Sequence, residues 1–234
     1  MTPIWDRSAR KRRVIDARGR KMTTDNGHRK HRQTVGVVLA GGLARRMGGG
    51  DKGLIELDGR PILDHVIERL APQVRLIVLN ANGDPERFAR WSRPVAADVL
   101  PDNPGPLVGV LTGMDWVVAN LPGVEWIVTV PTDAPFLPRD LVERFFDGIA
   151  AEKADMACAV SGGQRHPVCG LWSVGLRMDL RSALVHEGLR KVDIWTGRHK
   201  VADVAFDVDP VDPFFNANEP SDLDEAHRLI ASRD

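Results

Sequence analysis

The chain has 234 residues, of which 43% are hydrophobic, and its 32 Lys and Arg balance 32 Asp and Glu, so that its formal net charge is zero. No apolar run approaches the roughly 18 uncharged residues that a membrane span requires, which predicts a soluble, cytoplasmic protein with no membrane partner. The two cysteines, Cys158 and Cys169, are too few for a disulfide framework. They are predicted to be buried free thiols in a reducing compartment.

The charge is distributed unevenly along the chain. Residues 1–33 carry 11 Lys and Arg against three Asp, a net charge of +8, so that the remainder carries −8. A basic segment so poor in apolar residues cannot bury enough surface to order itself, and it lacks the apolar region of a secretory signal. We therefore predict a disordered N-terminal extension over 1–33 and a single domain over 34–234.

Three interpretations of this extension stay open. It is a flexible tail, or the result of a start site assigned upstream of a true first residue at Met22, or a tether to an anionic surface. The only support for a tether, to nucleic acid or to an anionic surface, is the charge. Because no aromatic interleaving or binding motif accompanies the charge, no nucleic-acid partner is predicted.

Short apolar runs alternate with helical periods from Thr34 onward. Strands are predicted at 34–40, 75–81, 125–133 and 155–160. Helices are predicted at 60–71, Pro85–Trp91, Pro106–Asn120, 138–150 and about 220–231. Two later segments, 165–174 and 201–209, are expected to add strands, one of which suits an antiparallel strand. The pattern predicts an α/β fold, a Rossmann-like three-layer α/β/α arrangement whose mostly parallel sheet has one or more added antiparallel strands.

The stretch "VGVVLAGGLARRMGGGDKG", residues 35–53, places six glycines directly after the first predicted strand. Glycine costs roughly 0.5–1 kcal/mol relative to alanine inside regular structure, so this stretch is predicted to be a loop that needs bare backbone. Its backbone N–H groups would form an anion cradle, and Arg45, Arg46 and Lys52 add positive charge that suits a polyphosphate. The alternative is a mobile surface loop whose basic side chains are solvated.

Neither of two standard phosphate motifs accounts for this loop. The Walker A pattern requires Ser or Thr after its lysine, but Lys52 is followed by Gly53. Gly48, Gly50 and Gly53 satisfy G-x-G-x-x-G, but they lie about nine residues beyond the strand rather than in the strand-to-helix turn. We interpret that match as accidental.

Polar side chains follow the other predicted strands. Asn80 and Asn82 follow the second strand, Asp98 ends "RPVAAD", and Asp133 ends "WIVTVPTD". The carboxyl ends of parallel strands meet at one rim, where ligands usually bind. Asp133 suits either a helix cap or a Mg²⁺ ligand, and the adjacent anion loop favours Mg²⁺, which prefers one or two carboxylates plus substrate phosphate oxygens.

An ordered set of segments resembles the molybdenum cofactor guanylyltransferases, which are nucleotidyltransferases built on a Rossmann-like sheet. The resemblance covers about residues 34–231. It is carried by "VVLAGGLARRMGGGDKGLIELDGRPIL", "IVLNAN", "AADVLPDNPGPLVG", "VPTDAPFLPRDL", "RHPVCGLW" and "FFNANEPSDL". It implies that the enzyme transfers GMP from GTP to the terminal phosphate of molybdopterin and releases pyrophosphate. The implied partners are GTP and molybdopterin, together with molybdoenzyme apo-proteins or other cofactor-assembly proteins.

The resemblance also implies roles for individual positions. Residues lining or holding the guanine nucleoside are Leu39, Ala40, Gly41, Gly42, Asn80 and Asp98. Lys52 would contact the nucleotide phosphates, and Asp133 would contact the nucleotide and bind Mg²⁺. Asn216 and Asn218 resemble a late asparagine pair near the pterin phosphate. The family commonly has Pro-Cys-Asp-Thr-Pro around the aspartate, whereas 131–135 read Pro-Thr-Asp-Ala-Pro, a departure that concerns the fine positioning of the carboxylate and not its presence.

The implied reaction needs little covalent participation from the protein. An anionic pterin phosphate oxygen attacks the α-phosphorus of GTP in line with the departing pyrophosphate, and no general base is required. Catalysis should come from alignment and charge neutralisation, which we assign to Lys52, to Asp133 with Mg²⁺, and to Arg46 or Arg45. His166 is expected to be structural, although its motif places it toward the second substrate.

Two tryptophans and one glycine bear on specificity. Trp172 and Trp195 are expected in the core rather than stacked on a pterin. Gly42 in the "LAGG" turn removes a β-carbon where a purine must fit, a difference worth about 1–3 kcal/mol in favour of GTP.

Three alternative functions stay open. A molybdopterin cytidylyltransferase more often has "LAAG" at the turn. A sugar- or alcohol-phosphate nucleotidyltransferase usually has a longer glycine loop with Thr-Arg and Lys-Pro, which is absent here. The third is a non-catalytic nucleotide or cofactor carrier, and the presence of both Lys52 and Asp133 weighs against it.

Overall fold

The structure is a computed structural model that describes residues 14–15, 21–22, 30–31, 33–41, 51–100, 105–217 and 220–231. Four predicted site residues lie outside these ranges: Gly42, Arg45, Arg46 and Asn218. Most of the predicted extension lies outside them as well, so its disorder, like the single domain over 34–234, stays a prediction. Lys30 is described, and its Nζ pairs with Asp147 at 2.7 Å, so contacts with the folded part begin before Thr34.

A seven-stranded sheet forms the centre of the fold. In chain order its strands are β3 (Thr34–Leu39), β6 (Ile77–Asn80), β7 (Val95–Ala96), β8 (Trp126–Pro131), β9 (Met156–Ser161), β10 (Gln164–Ser173) and β11 (Val201–Phe206). The spatial order is β11-β9-β10-β8-β3-β6-β7. Within this sheet β10 runs antiparallel to both neighbours and the other pairs are parallel, which confirms the mostly parallel sheet with an added antiparallel strand.

Two small strand pairs lie outside the main sheet. They are β1 (Val14–Ile15) with β2 (Lys21–Met22), and β4 (Glu56–Leu57) with β5 (Arg60–Pro61), each antiparallel.

The described helices are α1 (Ile62–Leu70), α2 (Pro106–Asn120), α3 (Leu141–Glu152), α4 (Arg177–Val185), α5 (Val192–Thr196) and α6 (Pro220–Ala231). Shorter 3-10 helices span Lys52–Leu54, Ala71–Gln73, Pro85–Trp91 and Val174–Leu176. The predicted helix at 138–150 begins later, at Leu141. The helices α4 and α5 were not predicted. The apolar side chains of α4 are divided between a buried set and the exposed Met178 and Val185, so no single apolar stripe marks this helix, and α5 has only five residues.

The helices cover both faces of the sheet, which confirms the three-layer prediction. One core contains Leu63 of α1, Phe145 of α3 and Ala226 of α6. The other contains buried residues of α2, α4 and α5, among them Leu111 and Trp195. Strand β3 contributes side chains to both cores, because successive side chains of a strand point to opposite faces of the sheet.

Trp172 and Trp195 belong to the core, as predicted. They are 1% and 0% exposed, and their ring centroids lie 5.9 Å apart. Trp172 Nε1 donates to Thr129 Oγ1 at 2.8 Å, and Trp195 Nε1 donates to Asp179 Oδ2 at 2.7 Å. Both indole N–H groups are therefore satisfied inside the protein.

Both cysteines are free and buried, as predicted. Burial raises the pKa of the Cys158 thiol to about 12 and also raises that of Cys169. Among the described residues, no helix is long and apolar enough to cross a membrane.

Replacement of Trp172 by Phe should destabilise the fold, because it leaves a gap and removes the hydrogen bond to Thr129. We expect the free energy of unfolding in urea to fall by about 1–3 kcal/mol. Trp116→Phe, at a half-buried position of α2, is the control and should cost less. Equal losses for the two variants would contradict a central role for Trp172.

Candidate active site

A cavity of about 420 Å³ opens at the carboxyl ends of β3, β6 and β8. The chain passes from β3 to β6 on one side and later returns to β8 on the other, so this edge is where the strand order reverses. Ligands of open α/β sheets bind in such a crevice. The lining residues are Leu39, Gly41, Asn80, Asn82, Asp98, Gly105, Pro106, Gly109, Pro131 and Val168.

Two asparagines hold Asp98 in one wall of this cavity. Asn80 Nδ2 donates to Asp98 Oδ1 at 2.8 Å, and Asn82 Nδ2 donates to Asp98 Oδ2 at 2.8 Å. Asn82 Oδ1 in turn accepts from the Asp98 backbone N–H at 2.8 Å. Both oxygens of Asp98 are thus oriented by neutral donors. Because a carboxylate oxygen can accept more than one hydrogen bond, they can also accept from a ligand hydroxyl or N–H.

The adjoining part of the lining depends on Gly109 in the first turn of α2. A β-carbon at this position would overlap Asn80 Oδ1 and would lie 2.6 Å from Leu39 Cδ2. One turn later, a β-carbon at Gly113 would lie 2.6 Å from Val37 Cγ2. The two glycines let α2 lie close to β3 and bring its N-terminal turn to the cavity.

A second cluster contains Lys52 and Asp133. Lys52 Nζ donates to Asp133 Oδ2 at 3.1 Å, and the side chains are 22% and 13% exposed. A β-carbon at Gly53 would lie 3.2 Å from the Thr132 side chain, so glycine at this position lets Lys52 approach the end of β8. Thr132 and Ala134 are the two residues that differ from the family pattern around the aspartate. Both are buried, so the difference affects packing beside the Asp133 carboxylate.

The segment 212–217 contacts the chain at Asp133, in the second cluster. The Ala217 backbone N–H donates to the Asp133 carbonyl oxygen at 3.0 Å. Asn216, the exposed residue before it, therefore lies beside the Asp133 segment.

A Ser-His-Asp set anchors the same segment. Ser161 Oγ lies 2.7 Å from His166 Nε2 and donates to Asp212 Oδ1 at 2.8 Å. Burial lowers the pKa of His166, so the imidazole is neutral at pH 7. Since a carboxylate only accepts, Ser161 directs its proton to Asp212 and accepts from His166 Nε2–H, which is the opposite of nucleophile activation.

His166 also stacks on Phe214, with ring centroids 4.7 Å apart. Asp212 Oδ1 accepts from the Phe214 backbone N–H at 2.9 Å. These contacts support the structural interpretation of His166, which holds the segment that leads to Asn216.

The structure brings most of the described site residues to one edge of the sheet. Leu39, Gly41, Asn80 and Asp98 line the cavity, and Lys52 pairs with Asp133. The Ala40 side chain instead packs in the core at 2% exposure, and its backbone N–H donates to the Asn80 carbonyl oxygen at 2.8 Å.

Asn82 was predicted only to lie at the ligand-binding rim. The lining residues that had no predicted role are Gly105, Pro106, Gly109, Pro131 and Val168. The signal for Gly109 was its place in "GPLVGVLTG", where glycines recur four residues apart inside a predicted helix. Among the described residues, no group of three or more His, Cys, Asp or Glu could hold a metal ion.

Comparison with known proteins assigns the family. The profile of the MobA-like NTP transferase domain matches residues 36–200. A molybdenum cofactor guanylyltransferase from Nitrobacter hamburgensis is 57% identical over 198 residues, which cover 85% of this chain and 95% of that protein. The chain belongs to the molybdenum cofactor guanylyltransferase family. It is a nucleotidyltransferase, as the resemblance implied.

Solved structures confirm the fold. A molybdopterin-guanine dinucleotide biosynthesis protein A from Archaeoglobus fulgidus superposes with a TM-score of 0.66 at 20% identity, covering 85% of this chain and 99% of that one. A manganese complex of a Mycobacterium tuberculosis H37Rv protein gives 0.59 at 18% identity, covering 84% and 98%.

Replacement of Gly109 by Ala should displace Asn80 and with it Asp98. We expect the Kd for Mg·GTP, measured by isothermal titration calorimetry, to rise about tenfold or more. Gly113→Ala is the matched control, because its β-carbon meets Val37 in the core instead. It should lower the melting temperature with a smaller effect on binding, and equal binding losses in the two variants would contradict the role of Gly109.

Proposed function

We propose that the edge cavity and the Lys52–Asp133 pair together bind GTP, and that the chain transfers GMP to the terminal phosphate of molybdopterin with release of pyrophosphate. The observation that carries this proposal is the placement of both groups at the same end of the sheet. Pro131 lines the cavity, and Asp133 follows it by two residues. The 57% identity with a protein named for guanylyl transfer supports the chemistry.

The cavity suits the nucleoside part of GTP. Its volume is within the range of about 300–1,000 Å³ that small-molecule sites occupy. Leu39, Pro131 and Val168 offer apolar contact to a base, and the fixed carboxylate of Asp98 offers acceptors to hydroxyl or N–H groups. Among the described residues beyond its chain neighbours, none has an atom within 4 Å of a β-carbon built at Gly41. The argument from Gly42 for guanine rests on the sequence alone.

The Lys52–Asp133 pair suits the phosphates and a divalent cation. Asp133 offers one carboxylate, and Mg²⁺ commonly takes one or two carboxylates and completes its coordination with water and phosphate oxygens. The residues present therefore fit Mg²⁺ bound together with the nucleotide. The manganese complex with the same fold supports a divalent cation. When bound, Mg²⁺ would neutralise negative charge on the α- and β-phosphates.

The chain's own residues align the reactants rather than form covalent intermediates. Lys52 holds the triphosphate, and Asp98 with its two asparagines holds the nucleoside at the other end. The segment 212–217, anchored on His166 and on the Asp133 carbonyl, presents Asn216 to the acceptor phosphate. The acceptor oxygen is already anionic, so in-line attack on the α-phosphorus needs no base, and alignment supplies the catalysis. Arg45 and Arg46 remain candidates from the sequence for contacts to the phosphates.

Equilibrium binding of Mg·GTP in competition with Mg·CTP and Mg·ATP tests the nucleotide assignment. We expect GTP to bind at least about tenfold more tightly than either competitor. Preference for CTP would assign the chain to cytidylyl transfer with the same fold and chemistry. Failure to bind any of the three would contradict the nucleotide site.

Asp133→Asn should abolish transfer while the fold is retained, because the variant keeps the side-chain shape but loses the charge. We expect the rate of pyrophosphate release with molybdopterin and Mg·GTP to fall by about 100-fold or more. The control is Asp140→Asn, which makes the same change at an exposed position before α3. Normal turnover by Asp133→Asn would show that the metal assignment is wrong.

A further inference from the structure

The guanidinium of Arg87 joins Asp51 to the turn 82–84, which directly precedes the helix of Arg87 itself. Arg87 lies in the 3-10 helix Pro85–Trp91, to which the proposed function gives no role. Its Nε donates to Asp51 Oδ2 at 2.5 Å and its Nη2 donates to the Asn82 carbonyl oxygen at 2.5 Å. Its Nη1 donates to the Asp84 carbonyl oxygen at 2.6 Å, and its Cζ lies 4.7 Å from the Phe88 ring centroid.

These contacts reach both halves of the nucleotide site. Asp51 immediately precedes Lys52, the residue assigned to the phosphates. Asn82 holds the Asp98 carboxylate and the Asp98 backbone N–H, and Asp98 is assigned to the nucleoside. One side chain thus ties the phosphate side of the site to its nucleoside side.

The turn before the 3-10 helix is shaped to receive this side chain. Gly83 has a φ of +83°, which favours glycine, and a β-carbon there would lie 3.2 Å from Arg87 Nη1. Asp84 caps the helix by accepting from the Glu86 backbone N–H at 3.0 Å. Phe88 is 1% exposed, so the ring under the guanidinium is itself fixed by the core.

Arginine is the side chain that this geometry requires. The ion pair is mostly removed from solvent, since the Arg87 and Asp51 side chains are 26% and 12% exposed. A planar guanidinium can donate in three directions at once, whereas a lysine ammonium concentrates its donors at one point.

We propose that Arg87 is a positioning residue that fixes Lys52 relative to Asp98, so that one nucleotide engages both. This inference rests on the proposed function. Asp51 carries the connection to Lys52, and Asn82 carries the connection to Asp98. The loss of Asp51 should therefore affect phosphate binding alone, and the loss of Arg87 should affect both parts.

The test compares binding of Mg·GTP, Mg·GDP and guanosine to Asp51→Asn, Arg87→Ala and Arg87→Lys. We expect Asp51→Asn to weaken Mg·GTP and Mg·GDP about tenfold and to leave guanosine unchanged. Arg87→Ala should weaken all three ligands, Mg·GTP the most. Arg87→Lys keeps the positive charge and tests the proposal if Arg87→Ala fails to fold. It should still bind Mg·GTP more weakly than the unmodified chain.

Arg90→Ala is the matched control. Arg90 lies on the same 3-10 helix, pairs with Asp64 at 3.5 Å and lies 5.1 Å from the Trp91 ring centroid, but its side chain is 60% exposed and makes these contacts away from the cavity. It should bind all three ligands normally.

Three outcomes would overturn the inference. They are normal Mg·GTP binding by Arg87→Ala, equal weakening of all three ligands by Arg87→Ala, and weakening of guanosine by Asp51→Asn to the same extent as Mg·GTP. The second would mean a general loss of structure, which thermal unfolding would also report. Failure of the unmodified chain to bind Mg·GTP would instead overturn the proposed function, and the inference with it.

Discussion

The close approach of α2 to β3 and β6 is the constraint on which the rest of the site depends. It is set by Gly109 and Gly113, whose missing β-carbons leave room for Asn80, Leu39 and Val37. With α2 at this distance, the Asn80 amide is confined between the helix and Asp98. The cavity therefore has its shape and its fixed acceptors before any ligand binds, which lowers the cost of ordering the site when a ligand arrives.

The two carboxylates of the site, Asp98 and Asp133, have different partners and are therefore suited to different ligand groups. Asp98 is held by the amides of Asn80 and Asn82, which are neutral, so its charge remains available to hydroxyl and N–H donors. Asp133 is paired with Lys52, so the cluster has no net charge. A nucleotide phosphate with its cation brings a matching pair of charges to that cluster, the anion for Lys52 and the cation for Asp133.

The sequence predicted the elements whose signals are local. The four main strands, the helix over Pro106–Asn120 and the added antiparallel strand were confirmed, because apolar periodicity is visible within single segments. Asp98 and Asp133 were proposed as polar residues at strand ends, and Lys52 as a basic residue of the glycine-rich loop. Gly109 was missed as a site residue because a helical glycine reveals its use only when the atoms facing it are known. The helix α4 was missed because its apolar residues do not lie on one face, and α5 was missed because it has only five residues.

The sequence by itself determined the family, the α/β fold class and the residue types available for nucleotide chemistry. Only the tertiary structure decided which of them meet. Arg87 and Asp51 are 36 positions apart, and Ser161 and Asp212 are 51 apart. Their hydrogen bonds exist because the sheet and its helices bring these segments together. A local sequence pattern predicts neither the contact between such distant residues nor the direction of the hydrogen bond. Ser161, His166 and Asp212 show the difference best, since their residue types suggest a nucleophile and its base whereas their hydrogen-bond directions make them an anchor.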